Sequence, residues 1–192
     1  MKINKHPQNY FDRLKKAMDS VDQSKVSEFI KRIHSIIGTE ITIFIAGNGG
    51  SASTSSHMAC DLSKTILGST PRKKEVRLRV ICLNESVPLM TAWSNDEGYE
   101  HIFSEQIRSL GRKNDILFVI TGSGNSKNMV AAIHAAKNRG MATFGILGFD
   151  GGKAKKLLDD YLLVKSKDYG IVEDMHMVMV HLVTDWLKKN LQ

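Results

Sequence analysis

The chain has 192 residues, enough for one domain with a sizeable core, and its 42% hydrophobic and 24% charged content is ordinary for a globular protein. No run approaches the roughly 18 apolar residues of a membrane span, and the stretch from Met1 to Lys16 lacks the apolar core of a secretory signal, so a cytoplasmic location is expected. A net charge of +7 favours anionic partners, but the basic residues are dispersed, apart from Arg72, Lys73 and Lys74, and no aromatics are interleaved with them. That pattern points away from nucleic acid and toward a small anionic ligand.

A short helix is expected around Tyr10 to Met18. From Val26, apolar residues recur at Phe29, Ile30, Ile33, Ile36 and Ile37, which is helical spacing, with Ser24 as N-cap and Gly38 as terminator. These helices, about residues 8–38, precede any strand and read as a packing or oligomer surface. Next comes ITIFIA at 41–46, β-branched and apolar throughout, as in a strand covered on both faces. Similar runs follow at 79–83, 116–121, 143–147 and 161–164. Helical stretches separate them, at about Ser53 to Ile66, Tyr99 to Leu110, Lys127 to Arg139 and Gly152 to Leu158. The alternation specifies an α/β fold, a three-layer sandwich with a five-stranded parallel sheet flanked by helices. A last helix over 171–190 is apolar around most of its girth and calls for burial against another subunit. No linker divides the chain, so residues 1–192 form one domain. Cys60 and Cys82 lie in apolar segments without metal-like spacing and are expected to be buried free thiols.

Two loops carry the chemistry. The first strand runs into Gly47-Asn48-Gly49-Gly50-Ser51-Ala52-Ser53 and then a helix. Glycines there allow a sharp turn and close backbone approach, and the free N–H groups of a helix start suit an anion. The spacing matches neither G-x-x-x-x-G-K-[ST] nor G-x-G-x-x-G, which disfavours nucleotides. The third strand ends in Thr121-Gly122-Ser123-Gly124-Asn125-Ser126, where hydroxyls and amides can bind phosphate without Lys or Arg. In one parallel sheet both loops open on the same edge.

The chain resembles the sugar isomerase (SIS) domain family, most nearly its phosphoheptose isomerase branch. The resemblance rests on GNGGSA at 47–52, SND-x-GY at 94–99 with IF at 102–103, LGRKNDILFVITGSGNSKN at 110–128 and IVEDMHMVMVH at 171–181. It implies a flavodoxin-like sandwich and a homotetramer with interface active sites. The activity implied is an aldose–ketose isomerase interconverting sedoheptulose 7-phosphate and D-glycero-D-manno-heptose 7-phosphate through an enediol, supplying heptose to lipopolysaccharide or capsule. By matching position, Asn48, Gly49, Gly50, Ser51, Asp96, Thr121, Gly122, Ser123 and Ser126 are expected at the substrate.

His57 and Asp61, four residues apart, share a helix face. The family has Glu where Asp61 stands and Gln where Glu173 stands, and His181 matches its catalytic His. His57, Asp61, Glu173 and His181 form a candidate zinc set, one ion per subunit. Eight residues separate Glu173 from His181, about 12 Å of rise on a continuous helix. One ion could not readily take both, so either the site is completed across subunits or the helix begins after Glu173. Catalysis is expected from Asp61 or Glu173 as base and His181 as acid, with His57 a ligand or orienting partner. His176 reads as a packed structural residue. Lys64 stands near the position of a family Arg, and Gly170 stands where the family has an acid, with Asp168 two residues earlier. Two alternatives remain: an isomerase of another phosphosugar, or a non-catalytic SIS module that binds the bacterial replication initiator.

Overall fold

The structure is a computed structural model and describes residues 5–68 and 77–191, which leaves the basic cluster Arg72, Lys73 and Lys74 outside the described residues. Helices α1 (His6–Asp19) and α2 (Gln23–Ser35) lead into strand β1 (Thr42–Gly47). There follow α3 (Gly50–Ser63), β2 (Arg79–Cys82), α4 (Val87–Asp96), α5 (Ser104–Leu110), β3 (Ile116–Thr121), α6 (Lys127–Asn138), β4 (Ala142–Leu147), α7 (Gly152–Leu157), β5 (Asp160–Leu163) and α8 (Tyr169–Asn190). All strand pairs are parallel, in the order β2-β1-β3-β4-β5. The chain direction across the sheet therefore reverses between β1 and β3. Such a switch point opens a crevice at the carboxyl ends of those two strands.

Strand periodicity divides the core into two layers. Ile43, Ile45, Ile116, Phe118 and Ile120 face α2, α3 and α8, whereas Phe44, Ala46, Leu117 and Val119 face α5, α6 and α7. Both central strands are buried along their whole length, as their unbroken apolar runs require. Strand β2 differs: it lies at the sheet edge, and Ile81 is 38% exposed.

Helix α2 also covers the sheet, because Phe29 stacks on Phe118 with ring centroids 4.9 Å apart. Truncating a buried ring of this kind costs about 3–5 kcal/mol. The helix is capped by Asp22, not Ser24: the Asp22 carboxylate accepts from the backbone N–H groups of Ser24 and Lys25. The region expected as one helix over Tyr99 to Leu110 is instead a single 3-10 turn (Tyr99–His101) followed by α5. Helix α4, ahead of it, was not expected and buries no residue fully.

Cys82 is buried, and burial pushes its thiol pKa up. Cys60 is exposed, against expectation. It belongs to the outward stripe Ser53, His57, Cys60 and Lys64, whose spacing of three and four residues keeps it off the core. Among the described residues no helix is long and apolar enough to cross a membrane.

Candidate active site

The two loops do meet at the switch point, since Gly47 at the end of β1 pairs in register with Ile120, one residue before Thr121. Loop 1 turns through Gly49, whose φ of +57° favours glycine, and Gly49 then caps α3. Loop 2 turns through Gly124 at φ +68°, where an added Cβ would strike the Gly151 carbonyl. A Cβ on Gly122 would press on the Tyr169 ring, which packs edge-on against Phe149.

The hydroxyls expected at a phosphate are not equivalent. Ser51 and Thr121 are 4% and 5% exposed, and Thr121 Oγ1 accepts the Gly124 N–H at 3.3 Å. Ser123 and Ser126 are half-buried at the surface of the crevice. Ser126 is the N-cap of α6 but makes no capping bond with its side chain, which leaves that hydroxyl beside the Lys127 and Asn128 N–H groups of the first turn, the Met129 N–H being taken by Asn128 Oδ1.

Asn48 lines a pocket of about 370 Å³ together with Tyr99, Glu100, Ser126, Lys127 and Asn128. Asp96 is exposed at the end of α4, where its carboxylate accepts from Asn95 at 2.8 Å. Among the described residues no hydrogen bond joins Asp96 to either loop. Asn128 and Tyr99 were not among the residues expected at the site. Tyr99 lay inside the SND-x-GY stretch and Asn128 closed the stretch at 110–128, but neither was assigned a role there.

The acid–base residues are organised by a parallel packing of α3 on α8. An added Cβ at Gly50 would collide with the Glu173 carboxylate. His57 Nε2 lies 3.0 Å from His181 Nε2, and Asp61 Oδ2 accepts from Thr184 Oγ1 at 3.2 Å. These contacts share an offset of 123 or 124 residues, so the two helices run side by side in the same direction. Helix α8 is continuous from Tyr169, which excludes a helix start after Glu173. Glu173 therefore stands at the mouth of loop 1, and His181 stands about 12 Å further along the axis.

Among the described residues, His57, Asp61 and His181 form one metal-competent cluster, their ligand atoms within 4.8 Å of one another. Glu173 is not in it. A tetrahedral ion with ligands at about 2.0–2.1 Å spaces those ligands roughly 3.3 Å apart. The 3.0 Å between the imidazole nitrogens and the 3.5 Å from His57 Nε2 to Asp61 Oδ2 are near that spacing, while the His181–Asp61 edge, within 4.8 Å, would have to close for an ion to sit among all three. Thr184 Oγ1 lies 3.2 Å from Asp61 Oδ2, the oxygen that faces His57, and shares its one hydroxyl proton between that carboxylate and the Val180 carbonyl at 2.9 Å, so it helps to hold the carboxylate in place. Asp61 is 7% exposed, whereas both histidines open to solvent.

Two neighbouring positions have structural roles. Asp168 caps α8 through Gly170 N and pairs with Arg13 of α1. Lys64 is exposed at the end of α3. His176 is buried under β4, and among the described residues neither ring nitrogen has a hydrogen-bond partner. Burial lowers its pKa to about 4, against a small raising effect of the Leu147 backbone.

Comparison with known proteins gives this geometry a family. The SIS domain model matches residues 9–148. The phosphoheptose isomerase of Helicobacter pylori (strain P12) is 38% identical over 181 residues, 93% of this chain and 90% of that protein. The Clostridium acetobutylicum phosphoheptose isomerase is 34% identical over 174 residues, 87% of this chain and 86% of that protein. A solved phosphoheptose isomerase from Francisella tularensis superposes with a TM-score of 0.86 at 26% identity, covering 98% of this chain and 97% of that one. With the paired loops, the parallel sheet and the length all in common, the chain belongs to the SIS domain family and groups with its phosphoheptose isomerases.

Proposed function

We propose that this protein is an aldose–ketose isomerase that interconverts sedoheptulose 7-phosphate and D-glycero-D-manno-heptose 7-phosphate, supplying heptose for lipopolysaccharide or capsule. The observation that carries the reading is the crevice between two Gly/Ser loops, with a carboxylate at its mouth and a His–Asp–His cluster further along the same helix pair.

In this reading Ser123, Ser126 and the first-turn amides of α6 hold the phosphate dianion. Asn48 and the amides of loop 1 contact sugar oxygens, with Ser51 and Thr121 shaping the turns from inside. Isomerisation moves a proton between C1 and C2 through an enediol, so one group must take and return that proton while another serves the oxygens. Glu173 is assigned the carbon-to-carbon transfer, because it stands at the loops while Asp61 is buried and held by Thr184. When no ion is held there, His181 is assigned the proton exchange with oxygen, and His57 orients it. When a divalent ion such as Zn²⁺ is bound, His57, Asp61 and His181 would hold it, and it would supply Lewis-acid stabilisation of negative charge on the oxygens.

The separation of about 12 Å between Glu173 and His181 on one helix supports a site completed by association of subunits, as a homotetramer. Exposed Leu182 and Trp186 on the same helix are apolar surface that association would cover. The discriminating experiment is incubation with sedoheptulose 7-phosphate, with and without chelator, followed by product analysis. Formation of the aldose supports the assignment; an inert protein that retains the replication initiator in a pull-down supports the non-catalytic module instead.

A further inference from the structure

Asn48 in loop 1 is joined to Asn128, in the first turn of α6, by a reciprocal pair of amide bonds. Asn48 Nδ2 donates to Asn128 Oδ1 at 2.9 Å, and Asn128 Nδ2 donates to Asn48 Oδ1 at 2.8 Å. The pair bridges 80 residues of sequence and ties the end of β1 to the helix that follows β3. Its orientation is dictated by a third group. The backbone N–H of Met129 donates to Asn128 Oδ1 at 2.9 Å, which only the oxygen end of that amide can accept. With Asn128 so fixed, Asn48 must turn its oxygen toward Asn128 Nδ2. Tyr99 OH then donates to the same Asn48 oxygen at 3.0 Å.

Both lone pairs of Asn48 Oδ1 are thereby occupied, while Nδ2 has used one of its two N–H bonds. Asn128 is 2% exposed, whereas Asn48 lies on the wall of the pocket shared with Tyr99 and Ser126. We propose that Asn128 and Tyr99 are positioning residues that lock the Asn48 amide as a donor only, with its remaining N–H reserved for a sugar oxygen. A locked donor favours an oxygen that accepts, above all the carbonyl and the enediolate oxygen into which it develops, where a hydrogen bond strengthens as charge grows. A freely rotating Asn48 would offer its oxygen as often as its N–H and lose that selectivity.

The inference rests on the phosphosugar isomerase reading, so the test separates the two. Turnover of sedoheptulose 7-phosphate is measured for the wild type, Asn48→Ala, Asn128→Ala, the Asn48→Ala/Asn128→Ala double variant, Asn128→Asp and Tyr99→Phe, with thermal midpoints alongside. Asn128→Ala is expected to lower kcat/KM about tenfold or more, mostly in kcat, the scale of one transition-state hydrogen bond. The double variant is expected to fall no further than Asn48→Ala alone, because Asn128 acts through Asn48. Asn128→Asp keeps the acceptor that Asn48 Nδ2 and Met129 N–H require but sets a carboxylate oxygen against Asn48 Oδ1, where Asn128 Nδ2 donated, so its loss is expected to be no smaller than that of Asn128→Ala; where either Asn128 variant folds poorly, Tyr99→Phe decides. Tyr99→Phe is expected to lower kcat a few-fold at an unchanged melting temperature. Losses that multiply in the double variant, or an Asn128→Ala enzyme within twofold of wild type, would overturn the proposal.

If the wild type leaves the heptose phosphate untouched, it is the functional reading that fails, and the lock is decided by the ¹⁵N side-chain amide signal of Asn48, assigned by its loss in Asn48→Ala. Slow exchange with water that quickens in Tyr99→Phe supports the lock. Exchange as fast as that of exposed Asn138, whose side chain has no hydrogen-bond partner among the described residues, sinks it.

Discussion

His57 and His181, 124 residues apart in the chain, bring their Nε2 atoms to 3.0 Å. Without a metal, one ring must donate and the other accept, which demands opposite tautomers, and protonating both sets two cations against each other. A divalent ion would remove both conditions, with Asp61 as the candidate third ligand. Titration with Co²⁺ is expected to develop the visible absorption of a tetrahedral centre. His57→Ala and His181→Ala should each weaken binding by tenfold or more, and Thr184→Val by about tenfold through its hold on Asp61. Unchanged cobalt spectra in all three variants would remove the cluster from consideration as a metal site.

Glu173 and Asp61 are separable by two readouts. Glu173→Gln keeps the shape beside Gly50 and installs the residue that the family has there, but cannot take a proton, so with Glu173 as the base kcat is expected to drop by about 10²–10⁴ with KM and cobalt binding near wild type. Asp61→Asn is expected to lose metal affinity and activity together. Normal turnover by Glu173→Gln transfers the role of base to Asp61.

His176 makes stability depend on pH in a defined direction. Its folded pKa is about 4, below the ordinary 6.5, because burial disfavours the charged ring. Above pH 6.5 both states are neutral and nothing is lost. Between pH 6.5 and 4 the unfolded chain takes up a proton that the folded chain refuses, so stability falls as pH falls, by about 3 kcal/mol at most. Urea unfolding of wild type and His176→Leu at pH 7.5 and pH 4.5 checks this. The variant should show a smaller loss between the two pH values, and equal losses would show that other groups govern the acid limb.

Gly124 tests the architecture of loop 2. Any side chain there meets the Gly151 carbonyl, and φ of +68° adds strain. Gly124→Ala is expected to cost about 2–4 kcal/mol and to weaken phosphate binding. A melting temperature within a degree of wild type would mean that the loop relaxes without cost.

The legible part of the site was the part written locally. Loop 1, loop 2 and the His57–Asp61 spacing each occupy fewer than ten residues, and their glycines and hydroxyls announce a turn and an anion. Cys60 shows where local reading fails: its apolar neighbours suggested burial, but its place on the outward stripe of α3 is set by which helix face meets α8. Asn128 closed the family-like stretch at 110–128 but its role was illegible for a similar reason, since a buried amide in a helix gains its meaning only from a partner 80 residues away. The Asp22 cap sits two residues before Ser24, and either residue type can cap a helix.

By itself, then, the sequence determined the layers, the parallel sheet and the identity of the two loops, because hydrophobic period and turn chemistry act between near neighbours. Only the tertiary structure decided that Glu173 stands over loop 1 while His181 joins His57 and Asp61, and that Asn48 is tied to Asn128 and Tyr99. The register of α3 on α8 is a packing solution over the whole core, and shifting one helix by a single turn, about 5.4 Å, would break both the cluster and the Gly50–Glu173 contact without altering a single local pattern.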